Sequence, residues 1–280
     1  MNPWNMKIVA DSSADVMSIP SLPYAIAPLK IITSEKEYVD DSNLDVIAMV
    51  NELSHYSDRS STACPSVGDW LDAFGDAPYV FCVTITSGLS GSYNAAIGAK
   101  DAYEEAHPDR KVCVIDSLSA GPELRLIIEK LAQLILEGKD FDTICGEIKE
   151  YQNRTGLMFK LESVKNLANN GRVSKLVAGA VGILGIRLVG KASDAGTLEV
   201  LHKVRGEKKA LAVLMELMEE LGYQGGKLRI SHCINGVTAR DFKEKILEKF
   251  PHADVELYAC RGLVAFYAER GGLLFGFEKT

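Results

Sequence analysis

Tyr79-Val-Phe-Cys-Val-Thr-Ile85 is apolar at nearly every position and runs directly into Thr86-Ser-Gly-Leu-Ser-Gly-Ser92. A strand without polar alternation is buried on both faces, as in a parallel sheet covered by helices on either side. The Ser/Gly segment is too rich in turn formers to continue the strand, and a helix is predicted beyond it, from about Tyr93 to Ala106. That order puts the loop at the carboxyl end of a strand, where α/β sheets bind their ligands. Small residues let backbone approach a ligand closely, and the free N–H groups of a helix start attract an anion. Ser90, Gly91 and Ser92 are therefore candidates for holding a carboxylate or a phosphate. No G-K-[ST] ends the loop, so it is not a Walker loop, and Gly88-Leu-Ser-Gly lacks the spacing of G-x-S-x-G.

The same grammar extends outward. Lys7-Ile-Val-Ala10 reads as a strand entering Asp11-Ser-Ser13, Tyr24 to Ile32 as a strand region, and Lys111 to Ile115 as another strand. Asp45 to Leu53 and Pro122 to Leu136 have helical spacing. Strands alternating with helices predict an α/β fold with a mainly parallel sheet in this half. Beyond residue 156 the pattern changes. Ile186 to Ala192 and Thr197 to Val204 flank Ser193-Asp-Ala-Gly196 and predict a hairpin. Helices from Glu207 to Leu221 and Thr238 to Phe250 then alternate with strands at Lys227 to Cys233 and Asp254 to Ala259. We expect two domains, 1–156 and a mixed α/β domain 157–280, with a ligand site between them. At 280 residues the chain is near the limit for one core, which agrees with that division.

Bulk properties exclude several classes. The formal charge is −7 and no basic block occurs, which argues against nucleic acid, whose affinity rests on phosphate neutralisation. No apolar run nears the roughly 18–20 residues needed to span a bilayer, so no stable membrane insertion is expected. Met1 to Ser13 has no signal-peptide core, and a cytoplasmic location is the expectation. Cys64, Cys82, Cys113, Cys145, Cys233 and Cys260 are scattered singly, as expected of free thiols in a reducing compartment. The five histidines show no metal-ligand spacing, so no metal site is predicted.

Two further segments carry polar groups of interest. In Ser60-Ser-Thr-Ala-Cys-Pro-Ser66, Pro65 excludes helix just before it, and Ser66-Val-Gly-Asp69 reads as a helix cap with an acid at the third position. Capping alone could account for the segment; otherwise Thr62 faces whatever lies at that helix start. Asn169-Asn-Gly-Arg-Val-Ser-Lys175 is a turn projecting Arg172 and Lys175, either as a solvated loop or toward an anionic ligand or partner.

The blocks Asp11-Ser-Ser-Ala-Asp15, Ser61-Thr-Ala-Cys-Pro-Ser66, Ser87-Gly-Leu-Ser-Gly-Ser-Tyr-Asn94, Ile115-Asp-Ser117 and Asn170-Gly-Arg-Val-Ser-Lys175, in this order, closely resemble the DegV family. The resemblance runs from Lys7 to about Glu278. It implies a two-domain α/β fold with a long-chain fatty acid in a tunnel between the domains. It also implies a carboxylate held by Thr62 and Ser90, and a separate fatty acid kinase subunit that phosphorylates the bound acid. Arg172 and Lys175 fall in a family block assigned to the carboxyl end or to kinase docking. The chain departs from the pattern twice. Ala63 and Cys64 replace two polar residues of the T-S-Q-P block. An H-x-G-x-G block near the C-terminus is replaced by Phe266-Tyr-Ala-Glu-Arg-Gly-Gly272, leaving Tyr267 or Arg270 as substitutes for its His.

The leading reading is thus a fatty-acid carrier with no cofactor and no catalytic residue of its own. A serine-dependent acyl hydrolase or a phosphotransferase is the enzymatic alternative. The hydrolase needs a His and an acid at Ser90, and His232, at the end of a predicted strand, is the best placed. A small-anion-binding regulatory module is the third. Gly121, Ile183, Leu184 and Ile186 could line a tunnel or be ordinary core.

Overall fold

The computed structural model describes residues 3–173, 177 and 185–279; Lys175, Ile183 and Leu184 lie outside them. A short 3-10 turn at Pro3–Asn5 leads into β1 (Met6–Asp11), in which Ile8, Val9, Ala10 and Asp11 are fully enclosed, and a second 3-10 turn follows at Ser12–Ala14. The region expected to form one strand from Tyr24 to Ile32 divides in two. β2 (Tyr24–Ala27) pairs with β1, whereas β3 (Lys30–Ile32) leaves for a separate antiparallel sheet with β4 (Glu37–Val39). Pro28 lies at the break; it has no N–H for a ladder, and so ends the pairing of β2.

Asp45 caps α1 (Val46–His55) by accepting from Ala48 N. β5 (Ser61–Ala63) completes the small sheet beside β3. α2 (Val67–Phe74) starts with the expected reciprocal cap between Ser66 and Asp69. β6 (Tyr79–Thr84), α3 (Ser92–Ala106) and β7 (Lys111–Asp116) follow as read from the sequence. The first large sheet has the order β2-β1-β6-β7 and is parallel throughout. Strand alternation divides its side chains between two cores. Val9, Val80, Cys82 and Val112 pack under α2 and α3, while Ile8, Ala10, Phe81, Val83 and Ile115 pack under α4 (Pro122–Leu136) and α5 (Phe141–Gln152).

β8 (Thr155–Leu161) and α6 (Lys165–Asn169) lead to the predicted hairpin of β9 (Ile186–Ala192) and β10 (Leu198–Arg205). α7 (Glu207–Glu220), β11 (Leu228–His232), α8 (Gly236–Lys249) and β12 (Val255–Ala259) then alternate before α9 (Gly262–Ala268) and β13 (Leu273–Glu278). The second sheet is mixed, in the order β10-β9-β8-β13-β11-β12, with only β11 and β12 parallel. α7 and α8 cover one face around Met158, Val189, Ile230 and Phe275. The other face turns Leu157, Phe159 and Leu161 toward α1 and α9. α4 touches both large sheets and holds them together. Among the described residues, no helix is long and apolar enough to cross a membrane.

Candidate functional site

The loop after β6 is set in place by a carboxylate 74 residues earlier. Asp11, fully buried at the carboxyl end of β1, accepts from Ile85 N at 2.8 Å, from Ser92 Oγ at 2.6 Å and from the Ser13 hydroxyl and amide. Burial pushes its carboxyl up, and these donors pull it back toward the charged form. The chain therefore leaves β6 along a fixed path. Thr86 N donates to Ser119 O, and the β9–β10 turn closes over the loop so tightly that a Cβ at Gly88 would lie 2.7 Å from Ala195 O. Only glycine permits that approach.

At the start of α3, Gly91 provides no side-chain cap. The Ser90 Oγ accepts from Ser92 N at 3.3 Å, which leaves its own proton for another acceptor. Thr62, on β5, is held opposite Ile31 of β3. Its Oγ1 lies 2.7 Å from the Tyr267 hydroxyl of α9. Burial pushes the Tyr267 phenol up, opposed by the Thr62 hydrogen bond and by the Arg172 guanidinium, so it stays protonated near neutral pH. Arg172 in turn donates from Nε to Leu89 O at 3.3 Å and from Nη1 to Asn170 O.

Thr62, Ser90, Gly91, Arg172 and Tyr267 all line one cavity of about 330 Å³, within the range of roughly 300–1,000 Å³ usual for ligand pockets. The remaining wall is largely apolar. β8 contributes Leu157, Phe159 and Leu161, the alternate residues of one strand face. α9 contributes Leu263, Val264, Tyr267 and Ala268, one stripe of a helix. Leu29, Ile85, Leu89, Leu167, Leu198 and Leu274 also line it, with Thr86, Ser119, Lys191 and Thr197 among the further polar positions. Cys64 is also in the wall, close enough to Gly91 that a Cβ there would lie 3.2 Å from its sulfur.

Other residues singled out from the sequence stand elsewhere. Ser92 is fully buried with its hydroxyl committed to Asp11, and it does not line the cavity. Arg270 reaches outward to Asn51 Oδ1 at 2.6 Å. Gly121 lies behind the wall, against Leu274 and Val264, and Ile186 is half-buried against the core cluster that includes Leu157, Phe159 and Leu161. His232 is outside the lining and accepts from Asn235 N through Nδ1; burial, with Arg240 adding, lowers its pKa. Among the described residues, no histidine lines the cavity, and no group of three His, Cys, Asp or Glu could hold a metal. The sequence reading missed the β8 face, whose period-two pattern was available, and α9, whose position depends on distant contacts.

Residues 5–278 match the family described as "Uncharacterised protein, DegV family". The chain belongs to the DegV family. A DegV domain-containing protein of Streptococcus pneumoniae is 44% identical over 276 residues, 97% of this chain and 98% of that protein. Among solved structures, a DegV family protein from Eubacterium eligens loaded with heptadecanoic acid is 46% identical, with a TM-score of 0.96 over 98% of this chain and 100% of that one. The Streptococcus pneumoniae Fatty Acid Kinase (Fak) B3 protein, loaded with linoleic acid, is 44% identical, with a TM-score of 0.96 over 98% of this chain and 99% of that one. The arrangement of a parallel sheet in the N-terminal part and a mixed sheet in the C-terminal part is thus the DegV fold, and these two neighbours hold fatty acids.

Proposed function

We propose that this DegV protein binds a long-chain fatty acid in the cavity and presents its carboxylate to a partner kinase subunit, without turnover or a cofactor of its own. The observation that carries the reading is an apolar cavity whose Thr62, Ser90, Tyr267 and Arg172 gather beside the start of α3. A carboxylate removed from water is costly unless hydrogen-bonded, and hydroxyls, first-turn N–H groups and a nearby cation meet that need. The apolar wall gives an acyl chain the area over which burial is favourable, roughly 0.8 kcal/mol per CH₂. In this reading the site is Thr62, Ser90 and Gly91, with Tyr267 and Arg172 as neighbours, and the domains are 1–156 and 157–280. The six free cysteines suit the cytoplasm, where the kinase would meet it. The reading has support from the fatty acids held by the E. eligens protein and by the Fak B3 protein. A small-anion module leaves the apolar wall unexplained, and among the described residues no histidine lines the cavity beside Ser90 to serve an acyl hydrolase as base.

Organic extraction of purified protein followed by mass spectrometry should release an acyl chain. Absence of one, together with no uptake of added palmitate or oleate, would overturn the proposal. Ser90→Ala should weaken palmitate binding roughly 10- to 100-fold, the worth of one hydrogen bond to a charged group, with the melting temperature unchanged. Unaltered affinity would remove Ser90 from the site.

A further inference from the structure

β7 is an edge strand of the parallel sheet, and α5 runs beside it, joined to it at both ends. At one end Lys111 Nζ lies 3.4 Å from Asp142 Oδ2 and over the Phe141 ring. At the other, Gln152 Nε2 donates to Asp116 O at 2.8 Å. Lys111 to Asp116 and Asp142 to Gln152 cover nearly the same length, at about 3.3 Å per strand residue and about 1.5 Å per helix residue. Cys113 stands two positions beyond Lys111, on the same strand face, and Cys145 stands one helical turn beyond Asp142. That register sets the two side chains against each other in the seam. Both pack against the core beneath α4 and α5, and their thiols hydrogen-bond to each other.

Both cysteines are half-buried, whereas Cys82, Cys233 and Cys260 are enclosed and their thiols are pushed up by burial. The Cys113 thiol is pulled down because Cys145 donates to it, with the Lys100 ammonium of α3 adding to this against burial. The same bond pushes the Cys145 thiol up. Because the thiolate is the nucleophile, the pair has an attacking member, Cys113, and a resolving member, Cys145.

We infer that Cys113 and Cys145 form a redox-modification site, which a peroxide closes to a disulfide that staples α5 to β7. In the first step the Cys113 thiolate attacks one oxygen of hydrogen peroxide. The S–O bond forms, the O–O bond breaks, and hydroxide leaves to take up a proton as water. In the second, the Cys145 sulfur attacks the Cys113 sulfenic acid. The S–S bond forms, the S–O bond breaks, and the Cys145 proton leaves with the oxygen as a second water. Two thiols and one peroxide thus give one disulfide and two waters. In a reducing compartment the pair rests as the dithiol and closes only under oxidant. The staple lies beneath the ligand loop: β7 ends at Asp116, whose Oδ1 accepts from Ser87 N, and Ser119 O just beyond accepts from Thr86 N.

Peroxide treatment of the purified full-length protein, then alkylation with iodoacetamide, digestion and mass spectrometry, tests the site. Both alkylation sites should be lost, one peptide cross-linked through Cys113 and Cys145 should appear, and dithiothreitol should reverse both changes. Cys145→Ser has no resolving thiol and should stop at a Cys113 sulfenic acid that dimedone traps. Cys113→Ser should leave Cys145 a free thiol at the same dose. The oxidised wild type should melt a few degrees above the reduced form. Free Cys113 and Cys145 at peroxide doses that oxidise glutathione, or a cross-link found only between molecules, would overturn the site. A dimedone adduct on Cys145 in place of Cys113 would overturn the order of attack, and an oxidised form melting no higher would overturn the staple. Palmitate uptake by the reduced protein tests the fatty-acid reading separately.

Discussion

Ser90 and Ser92 stand two positions apart in one loop and serve different partners. Ser90 sits in the cavity wall, whereas Ser92 is turned to the carboxylate of Asp11, 81 residues earlier in the chain. Nothing in Ser87-Gly-Leu-Ser-Gly-Ser92 distinguishes them, since either could point a hydroxyl at an anion. The distinction follows from the sheet, which sets the end of β1 beside the start of α3. Ser92→Ala should therefore act on stability. It removes one donor from a buried carboxylate and should cost about 1–3 kcal/mol, readable as a lower denaturant midpoint. Fatty-acid affinity at temperatures well below the melting point should change far less than in Ser90→Ala. The reverse ranking would place Ser92 in the head-group site.

α9 is a helix of seven residues, too short to be stable by itself, and it provides four positions of the cavity wall. Its first turn is held by carboxylates from the other end of the chain. Asp40 accepts from Gly262 N and Leu263 N, both at 2.8 Å, and Asp15 accepts from Arg261 N at 2.7 Å. Unsatisfied N–H groups at a helix start are met here by side chains more than 200 residues away. Removing the carboxylate with Asp40→Ala should destabilise the protein by about 1–3 kcal/mol. It should also weaken fatty-acid binding through Tyr267, Leu263 and Val264. Protection of the Gly262 to Ala268 amides from hydrogen exchange would fall first; unchanged protection there would refute the clamp. The sequence Gly262-Leu-Val-Ala-Phe-Tyr-Ala268 has neither clear alternation nor a local cap, which is why the helix went unread.

Among the described residues, four carboxylates are buried: Asp11, Asp15, Asp40 and Glu123. Burial pushes Asp11, Asp15, Asp40 and Glu123 above their ordinary range, Asp15 most strongly, with neighbouring Asp40 adding to it and the Arg261 backbone N–H and guanidinium opposing. A carboxyl whose folded pKa is raised binds its proton more tightly when folded. Its contribution to stability is full below the unfolded pKa and is lost as pH rises through the folded one. Carboxylates held down by ion pairs, such as Asp254 beside Arg229, run the other way. Asp15→Asn isolates one group, because the amide oxygen can still accept from Arg261 N. Wild type should melt higher relative to this variant at pH 5 than at pH 8. A difference independent of pH would show that Asp15 does not titrate in that range.

The parallel sheet, the β9–β10 hairpin, the Ser66 cap and the Ser/Gly loop were all legible because each depends on neighbours within a few residues. An apolar run, a helical period or a turn former reports on its own surroundings. The order of blocks carried the family for the same reason. The cavity was not legible in this way. Leu157, Phe159, Leu161 and Leu263 look like any core residues, and whether such a side chain faces protein or a ligand depends on what the opposite wall leaves open. Which serine of the loop faces the cavity, which of Tyr267 and Arg270 reaches Thr62, and where α9 stands were all decided by contacts across 80 to more than 200 residues. Local chemistry determined the elements and the hydroxyl-rich loop; only the packing of β5, α3 and α9 around one space made a site of them.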